Sequence, residues 1–176
     1  MNFYQKKLKK LLHEYQGSSI LSSPTKAEIK ESVLDFLKTD FDYCFLSAKD
    51  ELRQILLTVF CDDEIFAIYD QYSNRIVFES FVGLFQDAPE FIKRNLAEFV
   101  NKRNMTLDFM ITIAKINIGS LTEVKDILKL GVDPYEVLNT ASFALRKNLE
   151  DSNFKNEFIN LFLEYDQSED TINSFI

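Results

Sequence analysis

Apolar residues recur at spacings of three and four along nearly the whole chain, which is the pattern of amphipathic α-helices. The first predicted helix covers 2–15, and the regular spacing is strongest in the second half of the chain. The helices predicted there are 89–100, 107–118, 121–130, 135–148 and 153–165. Residues that end an element are sparse, since the 176 residues include four glycines and three prolines. The pattern therefore predicts an all-α fold with short connections.

Start and stop signals divide the first half of the chain less clearly. Thr25 followed by Glu28 is a capping-box pattern, which predicts the start of a second helix. We expect this helix to end near Thr39 and the next one to begin at Ser47. The Ser- and Gly-containing stretch 16–24 between the first two helices is the one hinge that the sequence predicts.

Two segments fit more than one kind of structure. Aromatic and polar residues alternate in 40–46, so this segment fits either an extended strand or a helical turn. In 65–81, Ile65 and Ile68 have helical spacing, but the residues around 71–74 also suit the turn of a β-hairpin. We favour helices for 65–81, because apolar spacing of three and four continues beyond it.

The charge of the chain restricts its partners. The net charge is −8, with +3 on residues 1–16 and −11 on the remainder. Such an acidic body repels a phosphate backbone, so we expect no binding to nucleic acid. The expected partner is another protein with a basic surface.

The first predicted helix is amphipathic and basic, a type that can lie on an anionic membrane. Its apolar face consists of ordinary core residues and its lysine cluster is small, so we expect a docked helix without membrane contact.

No apolar run approaches the roughly 18 residues of a membrane span, and no secretory signal is evident. Cys44 and Cys61 are expected to be reduced core residues. These features predict a cytoplasmic protein, in a bacterium or in a host cytosol after delivery by a specialised secretion system.

Residue types that usually carry catalysis are sparse. His13 is the only histidine, and no spacing indicates that it converges with Cys44 and Cys61 on a zinc ion. Neither common glycine-rich phosphate-binding pattern occurs. The acidic run 62–64 fits the N-terminus of a helix without any metal. We therefore predict a protein that is not an enzyme and that holds no cofactor or metal.

The segment 118–134 (IGSLTEVKDILKLGVDP) has the most specific pattern in the chain. Gly131 stands where a left-handed residue would end the helix, and the Asp-Pro pair after it starts another element. The segment resembles the second helix and exit turn of an ankyrin repeat. The positions that match in register are Gly119, Val124, Ile127, Leu128, Gly131, Asp133 and Pro134.

A weaker internal repeat extends this resemblance over about 77–165. Ile92 and Leu96 recur as Val124 and Leu128 at an offset of 32, so helical hairpins can be drawn at 77–100, 107–130 and 137–165. The Thr-Pro-Leu-His opening of ankyrin repeats is absent, and a plain helical bundle explains the same apolar stripes. The resemblance implies an ankyrin-like solenoid in 76–166. Residues 1–75 would form an N-terminal helical cap or subdomain, and 167–176 a frayed tail.

The resemblance also implies a partner-binding surface, made of the turns between repeats and the exposed faces of the first helices. Tyr135 is the strongest candidate, because an aromatic residue beside a rigid Pro turn loses little entropy on binding. An alternative is that Tyr135 only fastens the start of its helix to the core. The implied partner-binding residues are Arg103, Asn104, Met105, Asp108, Thr112, Lys115, Asp133, Tyr135, Glu136, Asn139 and Arg146.

These inferences predict a non-catalytic protein-protein interaction module. One use is a bacterial effector that engages a host protein, and the Lys-, Asn- and Phe-rich composition suits an AT-rich bacterial genome. An alternative is an acidic immunity protein or antitoxin that masks a basic toxin. A further alternative is an enzyme whose helical site has no recognisable sequence pattern.

Overall fold

The structure is a computed structural model that describes residues 1–18 and 24–176. Within those ranges the chain forms helices and turns with no β-strand, so the all-α prediction is confirmed. Most of the predicted hinge falls on residues 19–23, which lie outside the described residues. No helix in the described ranges is long and apolar enough to cross a membrane.

The backbone divides into two compact units, Met1–Asp87 and Ala88–Ile176. The first unit contains α1 (Phe3–Gly17), α2 (Lys26–Ser47), α3 (Lys49–Val59), α4 (Asp62–Tyr72) and α5 (Phe78–Leu84). The second contains α6 (Pro89–Arg94), a π-helical turn (Glu98–Lys102), α7 (Leu107–Ala114), α8 (Leu121–Lys129), α9 (Pro134–Ala144), a 3-10 turn (Asn148–Glu150), α10 (Ser152–Leu163) and α11 (Glu169–Asn173).

In the first unit, α1 and α2 form an antiparallel hairpin. The Asn2 side chain donates to the Ser47 carbonyl at 2.8 Å, while the Lys26 ammonium lies 4.9 Å from the centre of the Tyr15 ring. The apolar face of α1 is buried against α2 and α3. The basic face stays in solvent, as expected of a docked amphipathic helix.

Two predictions for the first half of the chain are wrong, and each has a local cause. Helix α2 does not end near Thr39 but continues to Ser47, because Phe41, Cys44 and Phe45 extend its buried stripe at helical spacing. The segment 40–46 is therefore helical. Ser47 does not begin α3, because its hydroxyl donates back to the Tyr43 carbonyl at 2.6 Å.

The segment 65–81 is helical, as favoured, and not a β-hairpin. It contains two helices, α4 and α5, with a turn at 73–77 between them. Aromatic contacts hold this corner, since the Tyr69 ring lies 4.7 Å from Phe78 and 4.8 Å from Phe81. These contacts bury Tyr69 and Phe81 between the two helices.

The boundary predicted at 75/76 falls inside the first unit. Helix α5 packs on α3, and the Arg53 guanidinium of α3 donates to the Leu84 carbonyl at 3.3 Å. The units therefore divide at 87/88, and the hairpin predicted at 77–100 does not belong to one unit.

The two cysteines differ in exposure, although both were expected in the core. The Cys44 side chain is fully buried, and burial together with the charge of Asp40 raises the pKa of its thiol to about 12. Cys61 is exposed, because it stands just before α4, where its N–H donates to the Glu64 carboxylate at 2.9 Å.

One thiol is therefore expected to react with a chromogenic disulfide reagent in the native protein at about pH 8, and both in denaturant. The thiolate is the reactive form, and the raised pKa keeps Cys44 protonated below about pH 12. A Cys61→Ser variant should show no native reaction. Native titration of two thiols in the wild type would contradict the burial of Cys44.

In the second unit, α8 has the start and stop that its sequence indicates. Ser120 caps the helix, and the Gly119 N–H donates to the Glu123 carboxylate at 2.6 Å, which lowers the pKa of Glu123. Gly131 follows the helix with φ of +79°, so the left-handed prediction is confirmed. Leu128 of α8 and Phe162 of α10 are buried. The ankyrin-like solenoid arrangement stays a prediction.

The tail 167–176 is not frayed. Ser168 caps a short helix, α11, and Ile172 within it is completely buried. The sequence prediction failed here because α11 contributes one core residue only, which is too little to produce a periodic pattern.

Gly131→Val is expected to lower the free energy of unfolding by about 1–2 kcal/mol, because an L-residue is strained at positive φ. An added Cβ would meet no crowding there, since its nearest atom is the Ala97 Cβ at 4.0 Å. Gly83→Ala is the matched control: Gly83 lies within α5 with open space around it. The control should leave stability unchanged or raise it by up to about 1 kcal/mol. Equal effects of both substitutions in urea unfolding would refute the strain argument.

Candidate protein-binding surface

Helix α9 has one face in the core and one in solvent. Its buried positions are Val137, Leu138, Ala141 and Ser142. The exposed positions include Tyr135, Asn139 and Phe143, which follow one another at intervals of four, and Arg146 lies just past the end of the helix. The Phe143 side chain is 81% exposed and that of Tyr135 is 49% exposed. We call this set, Tyr135, Asn139, Phe143 and Arg146, the outer face of α9.

A groove of about 540 Å³ lies beside the outer face. One side comes from α9 and the residues after it, and the other from the end of the C-terminal segment. The residues that line this α9 groove are Asn139, Ser142, Phe143, Arg146, Leu149, Glu150, Ser174, Phe175 and Ile176. The groove therefore combines apolar side chains with both signs of charge.

The ring of Tyr135 is held at one end of the outer face. Asp133 caps α9, and its carboxylate accepts from the Tyr135 N–H at 2.8 Å. Pro134 occupies the first helical position, where its fixed φ suits a helix start. The Phe175 ring packs edge-on against Tyr135, with 5.4 Å between the ring centres and 79° between the planes.

Asn101 fixes the turn that leads into α9. Its side-chain amide donates to the Gly131 carbonyl at 2.8 Å and accepts from the Asp133 N–H at 2.9 Å. One carboxamide thus satisfies two backbone groups of the turn at once. Because Asp133 is held on both sides, the backbone at the start of α9 is pre-organised before any partner binds.

The structure brings together three of the predicted partner-binding residues and leaves most of the others apart. Tyr135, Asn139 and Arg146 share the outer face of α9. Asp133 is exposed at the start of the helix, and Glu136 is half-buried behind it.

The remaining predicted residues lie before α9. Asp108 and Thr112 are exposed on α7, where the Thr112 hydroxyl donates to the Asp108 carbonyl at 2.9 Å. Lys115 ends α7 at positive φ and lines a separate cavity of about 370 Å³ with residues of α6 and α8. Arg103 is half-buried, with its Nε 3.3 Å from the Glu98 carboxylate. These four side chains do not line the α9 groove.

Met105 was predicted to face a partner, and the structure corrects this. Asn104 before it is exposed and has φ of +54°, which turns the chain back towards the unit. The Met105 N–H then donates to the Phe99 carbonyl at 3.1 Å, and its side chain is only 9% exposed. An apolar side chain in a turn that folds inward adds to the core.

Sequence reasoning missed two aromatic residues, Phe143 and Phe175. Phe143 had a usable signal: it lies eight residues after Tyr135 and outside the buried stripe of α9. Phe175 had none, because its contact with Tyr135 joins residues 40 positions apart in the sequence.

Charge is unevenly distributed within the second unit. Residues 88–132 contain seven basic and five acidic residues, whereas 133–176 contain three basic and nine acidic ones. The α9 groove is built entirely from the acidic part. The net charge of −6 on this part of the chain favours basic partners over acidic ones.

No group of three or more His, Cys, Asp or Glu side chains in the described ranges is arranged to hold a metal ion. Comparison with protein-family models, curated proteins and solved structures finds no match to this chain. The resemblance to ankyrin repeats accordingly stays a prediction from the residues of 118–134.

Proposed function

We propose that this protein is a non-catalytic protein-binding module, and that the outer face of α9 with the adjoining α9 groove is its recognition surface. The observation that carries the proposal is the 81% exposure of Phe143 beside a groove of about 540 Å³. An exposed large aromatic side chain next to a concavity is a common mark of an interaction site.

The rigidity of this surface supports the same function. Tyr135 and Phe143 are carried on a capped helix, and Asn101 holds the turn before it. Aromatic residues in fixed positions lose little conformational entropy when a partner covers them. Tyrosine and arginine are also enriched among residues that dominate binding energy, and Arg146 completes the face.

The expected partner is a protein with a basic surface. The segment 133–176 carries net charge −6, which accelerates association with a basic partner and disfavours an acidic one. A bacterial effector that engages a host protein would use this surface, and so would an immunity protein that masks a basic toxin. The two uses differ in where the partner comes from, so affinity capture from a host lysate and from the native bacterium would separate them.

Tyr135→Ala and Phe143→Ala are each expected to weaken binding of the captured partner by at least about 1 kcal/mol, roughly fivefold. Glu150→Lys should weaken binding too, because Glu150 lines the groove and the change repels a basic partner. Asp133 is unsuitable for this test since it caps α9. Titration calorimetry measures the affinities, and circular dichroism confirms that each variant folds.

Phe109→Ala is the matched control for these variants. Phe109 is 37% exposed on α7 and does not line the α9 groove. The Phe109→Ala variant should bind the partner with the same affinity as the wild type. Wild-type affinity in both Tyr135→Ala and Phe143→Ala would rule out the outer face of α9 as the recognition surface.

A further inference from the structure

We propose that the outer face of α9 takes an aromatic side chain flanked by basic residues at Tyr135, where Phe175 stands in for this side chain until a partner displaces it. This inference rests on the proposed function, and it adds the chemistry of the partner and a competing segment within the chain itself.

The first observation is the contact that Phe175 makes. Its ring meets Tyr135 edge-on at 5.4 Å, which is a preferred geometry for two aromatic rings. Ser174 and Ile176 on either side of Phe175 line the same groove. The chain thus already supplies an aromatic anchor to this surface, and a partner's ring can make the same contact with Tyr135.

The second observation is that one aromatic position of this surface is not covered. Phe143 lines the groove and is 81% exposed, although Phe175 lies against Tyr135 at the other end of the outer face. A bound segment that placed its aromatic side chain against Tyr135 and continued along the α9 groove would cover Phe143 as well. This additional burial favours the partner over Phe175.

The third observation is that the segment carrying Phe175 is held lightly. Helix α11 spans five residues, and Ile172 is its one buried side chain. Phe175 lies past the end of α11, and its N–H donates to the Ile172 carbonyl at 3.1 Å. Ser174 caps the end of α11, and its hydroxyl donates to the Thr171 carbonyl at 2.6 Å. Phe175 and Ile176 can therefore move aside while Ser174 and Ile172 stay in place.

Electrostatic attraction determines which residues we expect on either side of the aromatic side chain in the partner segment. The part of the chain that forms the groove has nine acidic and three basic residues, and Glu150 lies in the groove wall. Lysine or arginine on either side of the aromatic anchor would be attracted by this field. Arg146 in the same wall disfavours a cation at that one position.

Competition has a measurable consequence. If Tyr135 is free of Phe175 for only part of the time, a partner that needs Tyr135 binds with an affinity reduced by that fraction. Removing the Phe175 ring should therefore tighten binding, although it deletes an apolar group from the groove wall. If the Phe175 side chain served only as part of the groove wall, its removal would weaken binding.

The chain contains no tryptophan, so a short peptide with one central Trp reports binding through its own fluorescence. The probe is a blocked Lys/Arg-rich peptide around that Trp, measured in physiological salt. Its matched controls are a Gly/Ser peptide and an Asp/Glu peptide with the same central Trp. We expect a saturable blue shift of the Trp emission with the basic peptide only.

Protein variants then test the role of each ring. Phe175→Ala should bind the basic peptide at least about threefold more tightly, and Phe143→Ala and Tyr135→Ala at least about fivefold more weakly. Phe109→Ala should match the wild type. No blue shift with the basic peptide, equal binding of all three peptides, or unchanged or weaker binding by Phe175→Ala would overturn the inference.

The captured partner separates failure of this inference from failure of the proposed function. If the partner needs Tyr135 and Phe143 but is indifferent to Phe175→Ala, the competing segment is wrong and the recognition surface stands. If none of the three substitutions changes the affinity for the partner, both the proposed recognition surface and the competing segment are wrong. Tighter partner binding by Phe175→Ala, together with dependence on Phe143, supports the inference.

Discussion

Phe162→Ala is expected to lower the free energy of unfolding by about 3–5 kcal/mol. The Phe162 side chain is completely buried in α10, and its ring lies 4.9 Å from that of Phe158. Alanine removes the apolar surface and leaves a cavity that the rigid surroundings fill only in part. Chemical denaturation followed by far-UV circular dichroism measures the loss.

Phe143→Ala is the matched control, because it makes the same chemical change at an exposed site. It should alter stability by no more than about 0.5 kcal/mol, as surface substitutions usually do. The same variant then reports on binding without any effect on folding. A midpoint for Phe162→Ala equal to that of the wild type would contradict the burial of α10.

Leu128→Ala is expected to cost about 2–5 kcal/mol. Leu128 lies in the buried stripe of α8 with Val124 and Ile127, and it is almost fully shielded from solvent. The range is wide because the cost depends on how far the neighbouring side chains can collapse into the cavity. Thermal unfolding should show a clearly lowered midpoint.

Leu130→Ala provides the comparison, since Leu130 is the residue that ends α8 and is 43% exposed. It should cost well under half as much as Leu128→Ala, because part of its surface already contacts water. If the two substitutions cost the same, the assignment of the buried face of α8 would be wrong.

The resemblance to an ankyrin repeat rests on local features of 118–134, and these can be compared directly with the structure. Gly131 adopts the left-handed conformation that its position after α8 indicated. Asp133 caps the next helix and Pro134 begins it. These features follow from short-range chemistry, which is why 17 residues were enough to predict them. How the helices stack depends on contacts between distant residues, which the same 17 residues do not encode.

The predicted recognition surface shows the same limit. Tyr135, Asn139 and Arg146 were chosen from a pattern of turns and helix faces, and they share one face because the spacing of a helix places them there. Met105 was chosen on the same basis, but the turn at Asn104 directs it into the core. Exposure in a turn depends on the path of the backbone, and periodicity contains no information about that path.

The sequence by itself determined the helical class, the buried stripes of helices such as α8, and the caps and stops that bound them. Each depends on residues within about one or two helical turns of one another. Only the tertiary structure decided that α2 continues to Ser47, that the units divide at 87/88, and that Phe175 reaches Tyr135. These outcomes depend on which distant side chains share a core or a groove, and burial of apolar surface between them outweighs the local signals.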